Sequence, residues 1–213
     1  MRITLPNSWD GITVGQFQDL YPVLVSESKL VERVPALISV LSGLPLQDVM
    51  KIKIEEYRKI SKALSFLDTL DTLTDVRDSF KVDGDRYSVD TNISNMCGAQ
   101  YMDFMHFLGE CKGDNNLVMQ NLHNLLSCVV IKDERKRWGY KRGEYDGSKI
   151  EVTRKLIKDK MPISLAFPIA VFFWNLWQES TKNIQDFGSS QLTKAEDLIK
   201  EVGKDLEGFG AGT

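Results

Sequence analysis

The sequence predicts a mainly α-helical protein: two related helical units joined by a short β-hairpin, with a second small irregular or β insertion and a C-terminal amphipathic helix. Three observations carry this expectation. Apolar residues recur at helical spacing through long stretches on either side of residue 80. The phrase "TVGQFQDL", residues 13 to 20, returns as "CGAQYMDF", residues 97 to 104, aligning Gln16 with Gln100, Phe17 with Tyr101, Asp19 with Asp103 and Leu20 with Phe104. Between the copies, "FKVDGDRYSVD" sets Asp83 and Gly84 among strand-favouring Phe80, Val82, Tyr87 and Val89, and that pair tolerates the positive φ of a tight hairpin.

In chain order, Thr13 stands three residues before Gln16, the spacing of a capping box, so a helix starts here and runs to about Tyr21, where Pro22 disturbs it. Its apolar face is Val14, Phe17, Leu20 and Tyr21. In the second copy Cys97 replaces the capping threonine, with Asn95 as an alternative cap, and Tyr101, Phe104, Met105 and Leu108 form the face. Val34, Leu37, Ile38 and Leu41 make a stripe that Leu122, Leu125, Leu126 and Val129 repeat. "LPLQDV" then leads to a helix through Ile54, Tyr57, Ile60, Ala63, Leu64 and Leu67, as "MPISLA" opens an apolar helix from Leu165 to Trp177. The alternative is coincidence, because amphipathic helices share spacing automatically; the Gln-aromatic-x-Asp-apolar match goes beyond spacing.

The expected organisation is a first helical unit over 1–79, a hairpin connector over 80–94, and a second unit over 95–181 with an insertion at 132–152. In that insertion Gly139, Gly143 and Gly147 break any helix, while Tyr140 and Tyr145 suggest short extended pieces. Residues 182–213 read as a polar linker and a C-terminal helix whose stripe includes Leu198, Ile199 and Val202. That helix docks on its own domain or on a partner. Thr13, Gln16, Asp19, Gln100, Asp103 and Gly84 are assigned structural roles.

Of 213 residues, 42% are hydrophobic and 27% charged, with a formal net charge of -3, so no global electrostatic case exists for nucleic acid. The three cysteines, Cys97, Cys111 and Cys128, are an odd set without short paired spacing and read as buried free thiols in a reducing compartment. The opening residues have no apolar run, which argues against secretion. "ISLAFPIAVFFWNLWQ" is shorter than the roughly 20 residues of a bilayer span and contains Pro168, so a buried helix is favoured over membrane insertion.

Candidates for chemistry are sparse. The two histidines, His106 and His123, with the three cysteines form a conceivable zinc set, but no close ligand pair exists among them. Asp83, Asp85 and Asp90 lack the spacing of a calcium loop. No Gly-x-Ser-x-Gly or phosphate loop is present, and Asp19 and Asp103 suit a structural hydrogen bond or an exposed face. The expectation is no enzyme, no cofactor and no metal. The one chemically coloured stretch is Lys132 to Lys149, where Arg135, Lys136, Arg137, Lys141 and Arg142 surround Trp138 and Tyr140 and four carboxylates dilute the charge. A solvated loop, a protein contact and, least favoured, nucleic-acid binding are its readings.

The phrases "ITLPNSWDGITVGQFQDL", "FKVDGDRYSVDTNISNMCGAQYMDF" and "MPISLAFPIAVFFWNLW" together resemble a group of small proteins encoded among the virion and tail genes of tailed phages that infect Bacteroidetes. Some members are described as tail assembly chaperones. The resemblance reaches to about Thr181. It implies a non-enzymatic helper in the bacterial host cytoplasm that binds the tape-measure protein and keeps it soluble until the tail tube forms. Such a helper needs an exposed apolar groove or helix face, for which Trp174 and Trp177 and the C-terminal helix are candidates, beside Arg135, Arg137, Trp138, Tyr140 and Arg142. The alternative is a permanent virion subunit at the head-tail junction or tail; self-association into a homo-oligomer stays open.

Overall fold

The computed structural model describes residues 5–28 and 30–181 and is mainly helical, with a small four-stranded antiparallel sheet. The expected C-terminal helix with Leu198, Ile199 and Val202 lies outside the described residues. The chain forms two compact units, Met1–Val171 and Phe172–Thr213.

Helix α1, Val14–Leu24, begins where the sequence places it. The Gln16 amide donates to Thr13 Oγ1 at 3.3 Å and the Thr13 amide donates to Gln16 Oε1 at 3.0 Å, closing the capping box. The expected stop at Tyr21 is corrected: α1 continues through Pro22 to Leu24. Helix α2, Leu30–Ser42, buries the expected Val34, Leu37, Ile38 and Leu41 and packs on α1. The short α3, Leu46–Val49, precedes α4, Ile54–Ala63. The long helix expected through Leu67 instead stops at Ala63, and a 3-10 segment, Leu64–Thr72, follows with a non-helical residue at Thr69.

Strands β1, Ser79–Val82, and β2, Asp85–Val89, form the expected hairpin around Asp83 (φ 52°) and Gly84 (φ 86°). The polypeptide then passes through α5, Gly98–Glu110, α6, Asn115–Gln120, and α7, Leu122–Val129. Helix α7 runs straight into β3, Val130–Lys136, which pairs with β2 on one side and with β4, Gly139–Arg142, on the other. The hairpin read as a connector and the strands read as an insertion therefore belong to one sheet of order β1-β2-β3-β4. Phe80, Val82, Tyr87, Val89 and Val130 are buried, with Phe80 and Tyr87 stacked across the strands.

After a 3-10 turn at Gly147–Lys149 comes α8, Ile150–Lys160, a helix absent from the sequence expectation. It packs against α7 and α1. Gly15 of α1 makes this possible: a Cβ there would stand 3.0 Å from the Lys158 carbonyl oxygen. A final helix, α9, covers 163–181.

The starts of α1 and α9 lie side by side. The Val14 amide donates to the Met161 carbonyl at 3.0 Å and the Ile163 amide to the Ile12 carbonyl at 2.8 Å, an isolated antiparallel bridge centred on Thr13 and Pro162. Each bond satisfies an amide that a helix N-terminus leaves without an intrahelical acceptor. Ile12, Val14, Met161 and Ile163 are all fully buried.

The repeated phrase meets different surroundings in its two copies. Phe17 is fully buried but its counterpart Tyr101 is 46% exposed. Cys97 caps α5 without a side-chain bond, and Asn95 bonds Asp90 instead of capping it. Gln100, buried, donates across to the Cys128 carbonyl at 2.8 Å, one of the last carbonyls of α7 and so without an intrahelical partner.

Two substitutions separate these roles. Thr13→Ala removes the cap and costs about 1 kcal/mol, while Gln100→Leu leaves the Cys128 carbonyl unpaired and costs about 1–3 kcal/mol. Urea denaturation of each variant measures the difference; equal stability of Gln100→Leu and the parent protein contradicts the interhelical role.

Candidate functional site

Strand β3 serves two neighbours with its two halves. Residues Val130, Ile131 and Lys132 pair with β2, whereas Asp133 to Lys136 pair with β4. Beyond Lys132 the backbone ladder is two-stranded, so β3 and β4 extend from the sheet as an arm. Arg137 and Trp138 make its two-residue turn, closed by Gly139 at φ 130°, a conformation that side chains disfavour. Trp138 at the tip is 90% exposed, and the Arg137 guanidinium lies 5.4 Å from its ring centre.

The base of the arm is fixed by a polar cluster. Asp133, buried, accepts from Arg86 Nε at 3.0 Å and from Ser88 Oγ at 2.7 Å, so both carboxylate oxygens are satisfied as burial of a charge demands. Arg86 also donates to Ser79 Oγ at 2.9 Å and sits 5.4 Å from the Tyr140 ring centre. Arg142 pairs with Asp90 at 2.6 Å; the Asn95 side-chain amide first, then the Asn92 backbone amide and Arg142, hold that carboxyl below its ordinary range despite partial burial. Gly143 is dictated by space, since a Cβ there would collide with the Lys132 carbonyl oxygen. The close approach carries Tyr145 to Asp103, its hydroxyl donating to the carboxylate. Burial and then that bond push the Tyr145 hydroxyl well above its ordinary range.

The arm thus sorts the basic residues singled out in the sequence. Arg142 and Lys136 are committed to Asp90 and Glu134. Arg135 and Arg137 make no ion pair among the described residues, Lys141 faces Glu134 across the strands, all three cations are exposed, and Tyr140 is 49% exposed. Asp19 is exposed, and Gly84 holds its turn. Trp174, by contrast, is buried and stacks on half-buried Trp177 at 4.8 Å between ring centres. The aromatic helix is therefore not where the largest exposed apolar side chains lie. Those include Trp138, Met50 and Ile54, the last at the start of the helical stripe that runs on through Tyr57 and Ile60.

The zinc set does not assemble: among the described residues no group of three or more His, Cys, Asp or Glu is placed to hold a metal. The expectation of three buried thiols is corrected at Cys97, which is exposed. Burial pushes the Cys111 thiol up to about 11 and the Cys128 thiol up to about 12. A cleft of about 660 Å³ lies beside β3 and α8, lined by Tyr87, Val130, Ile131, Leu156 and several charges. Most of those charges are paired already, Asp85 with Lys132, Asp133 with Arg86, Glu134 with Lys136 and Asp146 with Lys149. No helix of the described residues is long and apolar enough to cross a membrane.

His123 joins α7 to α1. Its Nδ1 lies 2.9 Å from Gln18 Nε2, and Gln18 also donates to the Met119 and Gln120 carbonyls. Burial first, then Lys158 and Arg154, lower its pKa from 6.5 to about 4. The unfolded chain therefore binds this proton before the folded one does. Above pH 6.5 both forms are neutral there and no penalty exists; stability is lost as pH falls from about 6.5 to about 4. His123→Gln is expected to flatten the pH dependence of the urea midpoint across that window, and parallel curves for the two proteins contradict the assignment.

Comparison with protein-family models, with curated proteins and with solved structures gives no match for this chain.

Proposed function

We propose that this chain is a non-enzymatic interaction protein of phage tail assembly, a chaperone that holds the tape-measure protein until the tail tube polymerises around it. The observation that carries the reading is the projecting arm, which presents Trp138 at 90% exposure with Arg135, Arg137 and Lys141 around it. Trp and Arg are the residues that anchor protein interfaces, and an indole held in water at the tip of a two-residue turn gains when a partner covers it. The phage setting comes from the resemblance of the three quoted phrases.

The state of four groups that could serve chemistry supports the non-enzymatic part. Cys111 and Cys128 are held as thiols, His123 is held neutral at ordinary pH, and Asp133 is spent on Arg86 and Ser88. The cleft beside β3 offers mostly paired charges where a substrate site needs convergent unpaired groups. Nucleic acid is the weaker partner because Lys136 and Arg142 are already neutralised by Glu134 and Asp90.

Affinity purification of the chain from infected cells, with mass spectrometry of purified virions, tests the reading. The tape-measure protein is expected in the purified material and the chain itself is expected to be absent from virions. Trp138→Ala should leave stability within about 0.5 kcal/mol and reduce tape-measure recovery about tenfold or more. Stoichiometric presence in the particle would make this chain a structural subunit and overturn the chaperone.

A further inference from the structure

Helix α4 is amphipathic, yet none of its residues is buried. Ile54, Tyr57 and Ile60 fall at i, i+3 and i+6, one face of the helix, and Ile54 is 63% exposed. The turn leading into α4 adds Met50 at 68% exposure, after Leu46 at 50%. Within unit 1 the helix packs mainly against the 3-10 segment that follows it in sequence. Tyr57 and Ile60 are half-buried, so the part of the stripe left in water is Ile54, which with Met50 and Leu46 makes an exposed apolar patch of the kind a partner covers.

Charge says what kind of partner covers it. The chain as a whole carries -3, but from Lys51 to Lys62 five cations stand against two carboxylates. Lys51 is paired with Asp48, whereas among the described residues Lys53, Arg58, Lys59 and Lys62 have no ion pair. Arg58 and Lys62 follow Ile54 at four and eight residues, so they continue its row along α4.

We infer that α4 and the turn before it dock an amphipathic helix from another protein, its apolar stripe on Met50, Ile54 and Tyr57 and its flanking Asp and Glu residues on Arg58 and Lys62. Methionine suits such a face because its flexible thioether adapts to a partner's shape. A basic amphipathic helix also fits an anionic membrane surface. The protein partner is favoured here because Glu55 and Glu56 lie in the same helix and Asp48 just before it, and because the exposed apolar side chains are aliphatic residues and methionine, not the Trp and Phe typical of interfacial anchoring. The inference rests on the reading of the chain as an interaction protein and adds the partner's chemistry, on a surface separate from the arm.

The test uses the full chain and two synthetic amphipathic helical peptides, one with a Leu stripe flanked by Glu and its twin flanked by Lys, followed by fluorescence anisotropy. The Glu-flanked peptide is expected to bind about tenfold or more tightly than its twin, more weakly at high salt, and about tenfold more weakly to Ile54→Glu and to Arg58→Glu. Both positions are exposed, and circular dichroism verifies that the variants fold. Equal binding of the two peptides, or binding indifferent to Ile54→Glu, overturns the inference. Retention on phosphatidylglycerol vesicles that is lost in the same variants also overturns it, and assigns the face to membranes. Failure here with the tape-measure protein still recovered from cells removes only this surface; peptide binding with the chain stoichiometric in virions keeps the surface and removes the chaperone.

Discussion

Two backbone hydrogen bonds, from Val14 to Met161 and from Ile163 to Ile12, tie together helix starts that are far apart in sequence. Their four residues are fully buried, so unmade bonds would leave amides and carbonyls without water. The pairing fixes where α1 begins, and the capping box at Thr13 and Gln16 fixes its direction. From that origin α1 packs on α2, α6, α7 and α8, and the absent side chain of Gly15 lets α8 approach. Trp9 closes the same end, edge-on to Phe17 and Phe66 at 6.1 and 5.3 Å.

A second junction serves the sheet. Helix α7 passes without a loop into β3, so the end of the helix sets the start of the strand. Gln100 holds this transition by donating to the Cys128 carbonyl, and Asp133, with Arg86 and Ser88, holds the point where β3 leaves β2. The base of the arm is held by the fully bonded buried carboxylate, and among the described residues no strand pairs with β4 on its outer side. The polar cluster belongs to the fold, whereas Trp138, Arg135, Arg137 and Lys141 stand exposed on the arm.

Local chemistry made part of this legible in the sequence. The spacing of Thr13 and Gln16 announced a capping box, Asp83 and Gly84 announced a hairpin, and the Leu122 to Val129 stripe announced a buried helix. Each is decided within a few residues. What escaped is non-local. Nothing in the strands says that β2 pairs with β3, since α5, α6 and α7 intervene. The helix α8 was hidden because its residues are mostly charged and follow Gly143 and Gly147, and its burial comes mainly through Ile157. The repeated phrase promised equal roles for Gln16 and Gln100; one caps its own helix and the other reaches into α7, because packing partners, not sequence, decide which face of α5 turns inward. The α4 face misled for the same reason, since periodicity predicts a stripe but not whether anything lies on it.

The proposed function draws on two exposed surfaces, the tip of the arm with Trp138 and the start of α4 with Met50 and Ile54, while the paired helix starts are buried. Hydrogen-deuterium exchange of the chain alone and in complex with the partner purified from infected cells measures this directly. The account predicts slowed exchange through Met50 to Lys62 and Lys136 to Arg142, with the amides of Val14 and Ile163 unchanged. Slowed exchange confined to 163–181, with both surfaces exchanging as in the free chain, would contradict it.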